Sequence, residues 1–224
     1  MCGRVTLVLD QITIMEVLKD IYDVENRPEL PEIPAYNIGP SDRLLSVIES
    51  GGKRRSGLLT WGLVPSWTKE EALKHSLINA RSETVAEKPS FREAFARRRC
   101  ILLASHFYEW KREGEKRPFL FEVKDQPVMA FAGIYNVYKK ADGSRLSSCA
   151  ILTCEPNELM APIHHRMPVI LDKKAVGLWL DPTASQNGLE GLMRPYDPSL
   201  MQVTEVSTYV NNIKNKGPKC IEPL

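Results

Sequence analysis

Charge of one sign, paired cysteines and long apolar runs are what this sequence has little of. Thirty Lys and Arg against 28 Asp and Glu leave a formal net charge of +2 over 224 residues. That excludes a wholly basic protein held to nucleic acid by bulk charge. Cys2, Cys100, Cys149, Cys154 and Cys220 form no C-x-x-C pair and no dense framework. A disulfide-stapled scaffold is excluded, and reduced thiols in the cytoplasm are expected. The most apolar stretch, residues 128–138, is too short to span a bilayer. Asp10, Glu16, Lys19 and Asp20 interrupt any early apolar run, so neither a signal peptide nor a membrane partner is expected. No linker, internal repeat or low-complexity segment divides the chain, which reads as one domain over residues 1–224.

The small net charge hides an asymmetry. Residues 1–32 hold three basic and seven acidic side chains, a net of −4, which leaves +6 for residues 33–224. Basic clusters stand at Lys53-Arg54-Arg55, Arg97-Arg98-Arg99, Lys111-Arg112, Lys139-Lys140 and Lys214 to Lys219. Each suits a solvated surface; together they permit a polyanion partner.

Hydrophobic patterning predicts a strand over 4–9 and a helix after an Asp10 N-cap, with Ile14, Leu18 and Ile21 on one face. The four prolines between Asn26 and Pro40 predict an extended loop. Leu44–Glu49 and Gly57–Val64 read as strands around a Gly51-Gly52 turn. Ser90-Phe91-Arg92-Glu93 fits a capping box ahead of a helix. Strands are expected over 101–104, 119–123, 128–138, 146–153 and 203–206, and short helices from Asn157, around Ala175–Leu180 and around Leu189–Met193. Strands dominate the middle without a βαβ repeat. The expected class is α+β, with a mixed or antiparallel, barrel-like sheet core and flanking helices.

Chemistry starts at the N-terminus. An initiator Met followed by a small residue is commonly removed, and residue 2 is Cys. A terminal Cys carries an α-amine and a thiol on adjacent carbons. The amine, with a pKa of roughly 7.7–8.0, is partly neutral near pH 7, and the sulfur is a second nucleophile. Such an aminothiol captures aldehydes: the amine forms an imine, and the sulfur closes a thiazolidine ring. Ring closure is intramolecular and gains a large effective concentration.

Six short words in order resemble a known family. They are Met1-Cys2-Gly3-Arg4, Tyr36-Asn37-Ile38-Gly39-Pro40, Trp61-Gly62-Leu63-Val64-Pro65-Ser66-Trp67, Asn79-Ala80-Arg81-Ser82-Glu83-Thr84, Phe107-Tyr108-Glu109-Trp110 and Ile163-His164-His165-Arg166-Met167-Pro168. Their sequence along the chain is similar to that of the SOS-response-associated peptidases, the abasic-site processing proteins. The resemblance implies a DNA-repair protein that binds single-stranded DNA and covalently traps the C1′ aldehyde of an abasic site through Cys2, after peptidase-type self-removal of Met1. It implies no metal and no organic cofactor, and DNA and the replication machinery as partners. A monomer is expected, associated with the nucleoid if the source is bacterial.

By the same resemblance Glu109 corresponds to the family's catalytic glutamate. Desolvated by Tyr108 and Trp110, it would pass protons during imine formation; the bland alternative is a strand glutamate facing solvent. His164 corresponds to the family histidine, a proton donor to the opening sugar ring. The family has Asp where His165 stands, so His165 is the alternative imidazole; His164 keeps register with Arg166-Met167-Pro168. Asn79 can hydrogen-bond the lesion or the terminal residue, while Arg81 and Arg4 can pair with phosphates. Trp67, after a Pro-Ser turn, can stack on a base, whereas Trp61 reads as core. Asn37 and Pro40 are expected to shape the pocket floor, and the other four cysteines to be inert buried thiols. Two rival readings are a true cysteine peptidase using Cys2 and a non-covalent reader of modified DNA.

Overall fold

The computed structural model describes residues 2–26, 29–69, 77–111, 114 and 116–224. The Gly51-Gly52 turn organises the first hairpin. Both glycines have positive φ, 65° and 73°, as a tight two-residue hairpin loop requires. They join β3 (Arg43–Ser50) to β4 (Lys53–Trp61) in antiparallel register. Two shorter strands, β1 (Val5–Leu7) and β2 (Ala35–Ile38), precede them. β2 lies inside the segment expected to be a loop. It is a strand because β1 supplies an antiparallel partner, Val5 opposite Ile38, which no local pattern announces.

The strands that follow are β5 (Asn79–Arg81), β6 (Arg99–Ala104), β7 (His106–Trp110), β8 (Pro118–Val123), β9 (Met129–Lys139) and β10 (Arg145–Cys154). After them come β11 (Met167–Pro168), β12 (Ile170–Leu171) and β13 (Met201–Glu205). β4, β3, β6, β9 and β10 form a five-stranded barrel. Its seam is parallel: Ser148 and Cys149 of β10 pair with Thr60 and Trp61 of β4. Where β4 ends, β5 takes its place along β10, with Ile151, Leu152 and Thr153 opposite Asn79, Ala80 and Arg81. A second, antiparallel sheet runs β13-β8-β7-β1-β2. The result is a single α+β domain with a mixed barrel, an antiparallel sheet and few helices, as expected.

The barrel interior is apolar, and Trp61 is buried as expected, its indole donating to the Ile78 carbonyl at 2.9 Å. Phe107 of β7 stacks on Phe121 of β8 with ring centroids 4.9 Å apart. Helix α1 (Gln11–Glu16) starts at the expected cap: an Asp10 carboxylate oxygen accepts the Thr13 N–H. It continues as a π-helical turn over Val17–Ile21. Helix α2 (Arg92–Arg97) lacks the expected capping box. Its N-cap is Phe91, with no side-chain cap bond, and Glu93 pairs with Arg98 instead. Helix α3 (Lys173–Leu180) covers one barrel wall, where Trp179 donates to the Cys100 carbonyl at 2.9 Å. Helix α4 (Gln186–Leu192) follows. The segment from Asn157 is a turn rather than a helix: the Asn157 side chain accepts the Met160 N–H and closes it locally.

The basic clusters are partly consumed by the fold. Arg99 is buried and donates to the carbonyls of Trp179, Phe95, Ala96 and Asp181. Arg98 pairs with Glu93, and Lys53 with Glu25. Part of the Lys111-Arg112 cluster lies outside the described residues.

Candidate active site

Cys2 stands at the entrance to β1, and β1 runs antiparallel to β7. Val5 pairs with Phe107, and the Tyr108 N–H donates to the Arg4 carbonyl at 2.9 Å. Continuing that register carries Cys2 toward the Glu109 end of β7. Side chains alternate along a strand, so β7 presents Phe107 and Glu109 to one face and Tyr108 and Trp110 to the other. Phe107 joins the main core, while Tyr108 and Trp110 join a smaller cluster with Val206, Val210 and Cys220. Glu109 is 3 % exposed, so it does not face solvent. Its sequence neighbours Tyr108 and Trp110 lie on the opposite face, so the expected aromatic sandwich does not form.

Cys2 is fully buried, and its carbonyl accepts the side-chain N–H of Asn79, on β5, at 2.8 Å. The other side-chain atom of Asn79, Oδ1, is buried without a hydrogen-bond partner among the described residues. Burial pushes the Cys2 thiol well above its usual range, and the negative charge of Glu109 adds to the shift. Burial therefore favours the neutral thiol of Cys2.

His164 arrives from the turn between β10 and β11. Its backbone N–H donates to the Met160 carbonyl at 2.9 Å, and its side chain is 3 % exposed. The imidazole Nδ1 lies 4.0 Å from Glu109 Oε1, an ion pair only when the ring is protonated. The Arg166 N–H donates to Nδ1 at 3.0 Å. The Arg166 carbonyl lies 3.1 Å from the same Nδ1, so both backbone groups of Arg166 address one ring nitrogen and fix the orientation of the ring. His165 is exposed and stacks on His164, ring centroids 4.5 Å apart.

Cys2, Asn79, Glu109 and His164 thus converge from four separate segments. Arg4 leads to a neighbouring cluster. Its guanidinium donates to Asn37 Oδ1 and to the Val210 carbonyl, and stacks over the Trp110 ring at 5.7 Å. Asn37 is fully buried at a φ of 54°. Its amide is spent on the carbonyls of Val210, Asn212 and Asn215, so it fixes the C-terminal segment rather than lining an open pocket floor. Pro40 is exposed at the adjacent turn. Arg81, exposed, follows Asn79 on β5. Trp67 is 65 % exposed in the loop after β4, beside Pro65, Pro89 and Arg98, and no described contact joins it to Cys2. Cys100, Cys149, Cys154 and Cys220 are buried and unpaired. No cluster of three or more His, Cys, Asp or Glu among the described residues is placed to hold a metal ion.

Three contributors carried no assigned role in the sequence. Glu83 and Arg166 both lie within motif words, but their pairing spans two distant segments. The C-terminal strap over 208–220 gave no signal, because Asn37 and Arg4 reach its backbone carbonyls and backbone is blind to sequence.

A mixed barrel and a second sheet that together bring a Cys, an Asn, a buried Glu and a His to one point define a class of protein. The pattern of the SOS response associated peptidases (SRAP) matches residues 1–213. The chain belongs to this family. It is 41 % identical to the abasic site processing protein YoqW of Bacillus subtilis, over 99 % of each chain. It is 32 % identical to the abasic site processing protein HMCES of Rattus norvegicus, over the whole of this chain and 76 % of that one. A crystal structure of a Bacteroides thetaiotaomicron protein superposes over the full length of both chains with a TM-score of 0.87 at 26 % identity. No helix among the described residues is long and apolar enough to cross a membrane.

Proposed function

We propose that this protein processes abasic sites in single-stranded DNA by forming a covalent thiazolidine link through Cys2, once Met1 has been removed. The observation that carries the reading is the convergence of Asn79, Glu109 and His164 on a buried N-terminal cysteine. The relatives named for abasic-site processing support it.

The neutral thiol suggests an order of events. The α-amine attacks the C1′ aldehyde of the ring-opened sugar first, and loss of water leaves an imine. The sulfur then adds to the imine carbon. Its proton passes to Glu109, and the ring nitrogen takes up a proton in exchange. Aldehyde and aminothiol give thiazolidine and one water, with no oxidant or reductant. Asn79 holds the Cys2 carbonyl, which fixes where amine and sulfur point. His164 serves the sugar oxygen as the ring opens. Arg4 and Arg81 take backbone phosphates, and Trp67 stacks on an unpaired base. We assign assistance in hydrolysis of the Met1–Cys2 bond to the same Glu109 and Asn79. A cytoplasmic location suits five reduced thiols.

The test is a denaturing gel of protein mixed with a single-stranded oligonucleotide bearing one abasic site. A heat-stable shifted band is expected for the wild type and none for Cys2→Ala. No band from protein shown by intact mass to begin at Cys2 overturns the proposal. Turnover of unrelated peptides without any covalent band would favour a peptidase instead.

A further inference from the structure

Asn79 and Glu83 are four residues apart on one short piece of chain, yet they touch opposite halves of the site. Asn79 holds the Cys2 carbonyl. Glu83, in the 3-10 turn Ser82–Thr84 that follows β5, grips Arg166 with both carboxylate oxygens, at 2.6 and 2.9 Å. Arg166 is the residue whose backbone N–H orients the His164 ring.

We propose that Glu83 is a positioning residue: acting through Arg166, it holds the His164 imidazole in one orientation and in register with Glu109, so that β5 and its turn yoke the imidazole to the nucleophile. The proposal rests on the reading that His164 moves protons at Cys2.

The yoke is rigid at both ends. β5 is bound along β10, with Arg81 opposite Thr153. The Arg166 guanidinium also donates to the Thr153 carbonyl, so the same β10 residue braces both ends of the yoke. Thr153 pairs in turn with Pro168 of β11, two residues beyond Arg166. The Arg166 side chain is 9 % exposed, and both of its terminal nitrogens are taken. A guanidinium so held is not presented to solvent as Arg81 is. Without Glu83 it would be a buried cation lacking its counter-charge and would have to move. Only one residue separates it from His164, and the bond between them runs through its own backbone N–H. Any shift of Arg166 therefore reaches the ring directly.

The experiment uses the full chain with Glu83→Gln, which keeps the shape and removes the charge, and Glu83→Asp, which keeps the charge. Glu83 is about half exposed, so both variants are expected to fold, with circular dichroism melts as the check. Nitrogen-15 NMR of the imidazoles, without DNA, reads the state of the ring, the His164 signals being assigned with a His164→Gln variant. The wild type is expected to show one set of His164 ring signals, and Glu83→Gln shifted or doubled ones. In the gel assay the maximal trapping rate should fall roughly 10-fold in Glu83→Gln, with the half-saturating DNA concentration unchanged within about 2-fold, and Glu83→Asp should recover part of the loss. An unchanged His164 signal in Glu83→Gln overturns the proposal. So does tighter DNA binding at an unchanged maximal rate, which would make Arg166 a phosphate ligand that Glu83 restrains. A wild type that forms no covalent product removes the functional reading alone, because the NMR measurement needs no DNA.

Discussion

The guanidinium of Arg4 donates to the side-chain oxygen of Asn37, and both side chains donate to one carbonyl, that of Val210. The start of the chain is thereby locked to its last turns. Tyr108 adds to the lock by donating to the Cys220 carbonyl at 3.2 Å, and Lys216 by donating to the Asn37 carbonyl at 2.8 Å. Replacing Asn37 with Ala removes these amide donors and leaves a Cβ-bearing residue at a φ of 54° without the local bonding that favours it. Loss of about 2–4 kcal/mol is expected in urea unfolding, from hydrogen bonds and backbone strain together. Hydrogen exchange over residues 208–220 should rise with it. A loss under ~0.5 kcal/mol would show that the strap holds without Asn37.

Asn79→Ala cuts the single side-chain bond to the Cys2 carbonyl. Stability should drop by only ~1 kcal/mol, the net worth of one hydrogen bond. The trapping rate should drop much further, roughly 10- to 100-fold, because the nucleophile loses its orientation. Single-turnover gels compared with melting curves separate the two effects; equal rates for variant and wild type would remove Asn79 from the chemistry.

Trp67 is largely exposed, so Trp67→Ala should leave the melting temperature in place. Fluorescence anisotropy with single-stranded DNA should show binding weakened by about 1–3 kcal/mol, the contribution of one stacked base. Undiminished affinity would assign the exposed indole some other role.

The Glu83–Arg166 pair gives a pH dependence with a definite sign. Hydrogen bonding from Arg166 holds the Glu83 carboxyl below the usual carboxylate range. A group shifted this way stabilises the fold above its unfolded pKa of ~4.3, and the gain is lost as pH falls through its own lower folded value. The stability gap between wild type and Glu83→Gln, by urea midpoint, should therefore be present near neutrality and close toward about pH 3. Solvent screening keeps that gap small, since the carboxylate is about half exposed. A gap that widens in acid would contradict the assignment.

Local signals in the sequence were reliable where the physics is local. Gly51-Gly52 marked the hairpin, because only positive φ makes that turn, and Asp10 marked the start of α1, because its carboxylate reaches Thr13. Ser90-Glu93 looked like a cap and is not one: Glu93 found Arg98 and Ser66 instead. The parallel pairing of Thr60 with Ser148 that completes the barrel was illegible, since neither residue carries a mark of the other. In the site, the motif words identified Cys2, Asn79, Glu109 and His164, which do meet. The direction of each side chain was not in the words. Tyr108 and Trp110 flank Glu109 in sequence and turn away from it in space, toward the C-terminal strap.

The parallel seam has a consequence for how the molecule comes into being. Cys2 is synthesised before its partners, which emerge in the order Asn79, Glu109, His164. β5 cannot take its place in the barrel wall until β10 exists to receive it. The turn that delivers His164 is synthesised later still. Cys2 therefore lies apart from Asn79, Glu109 and His164 throughout most of translation, and the four are brought together only on barrel closure, a late and non-local event.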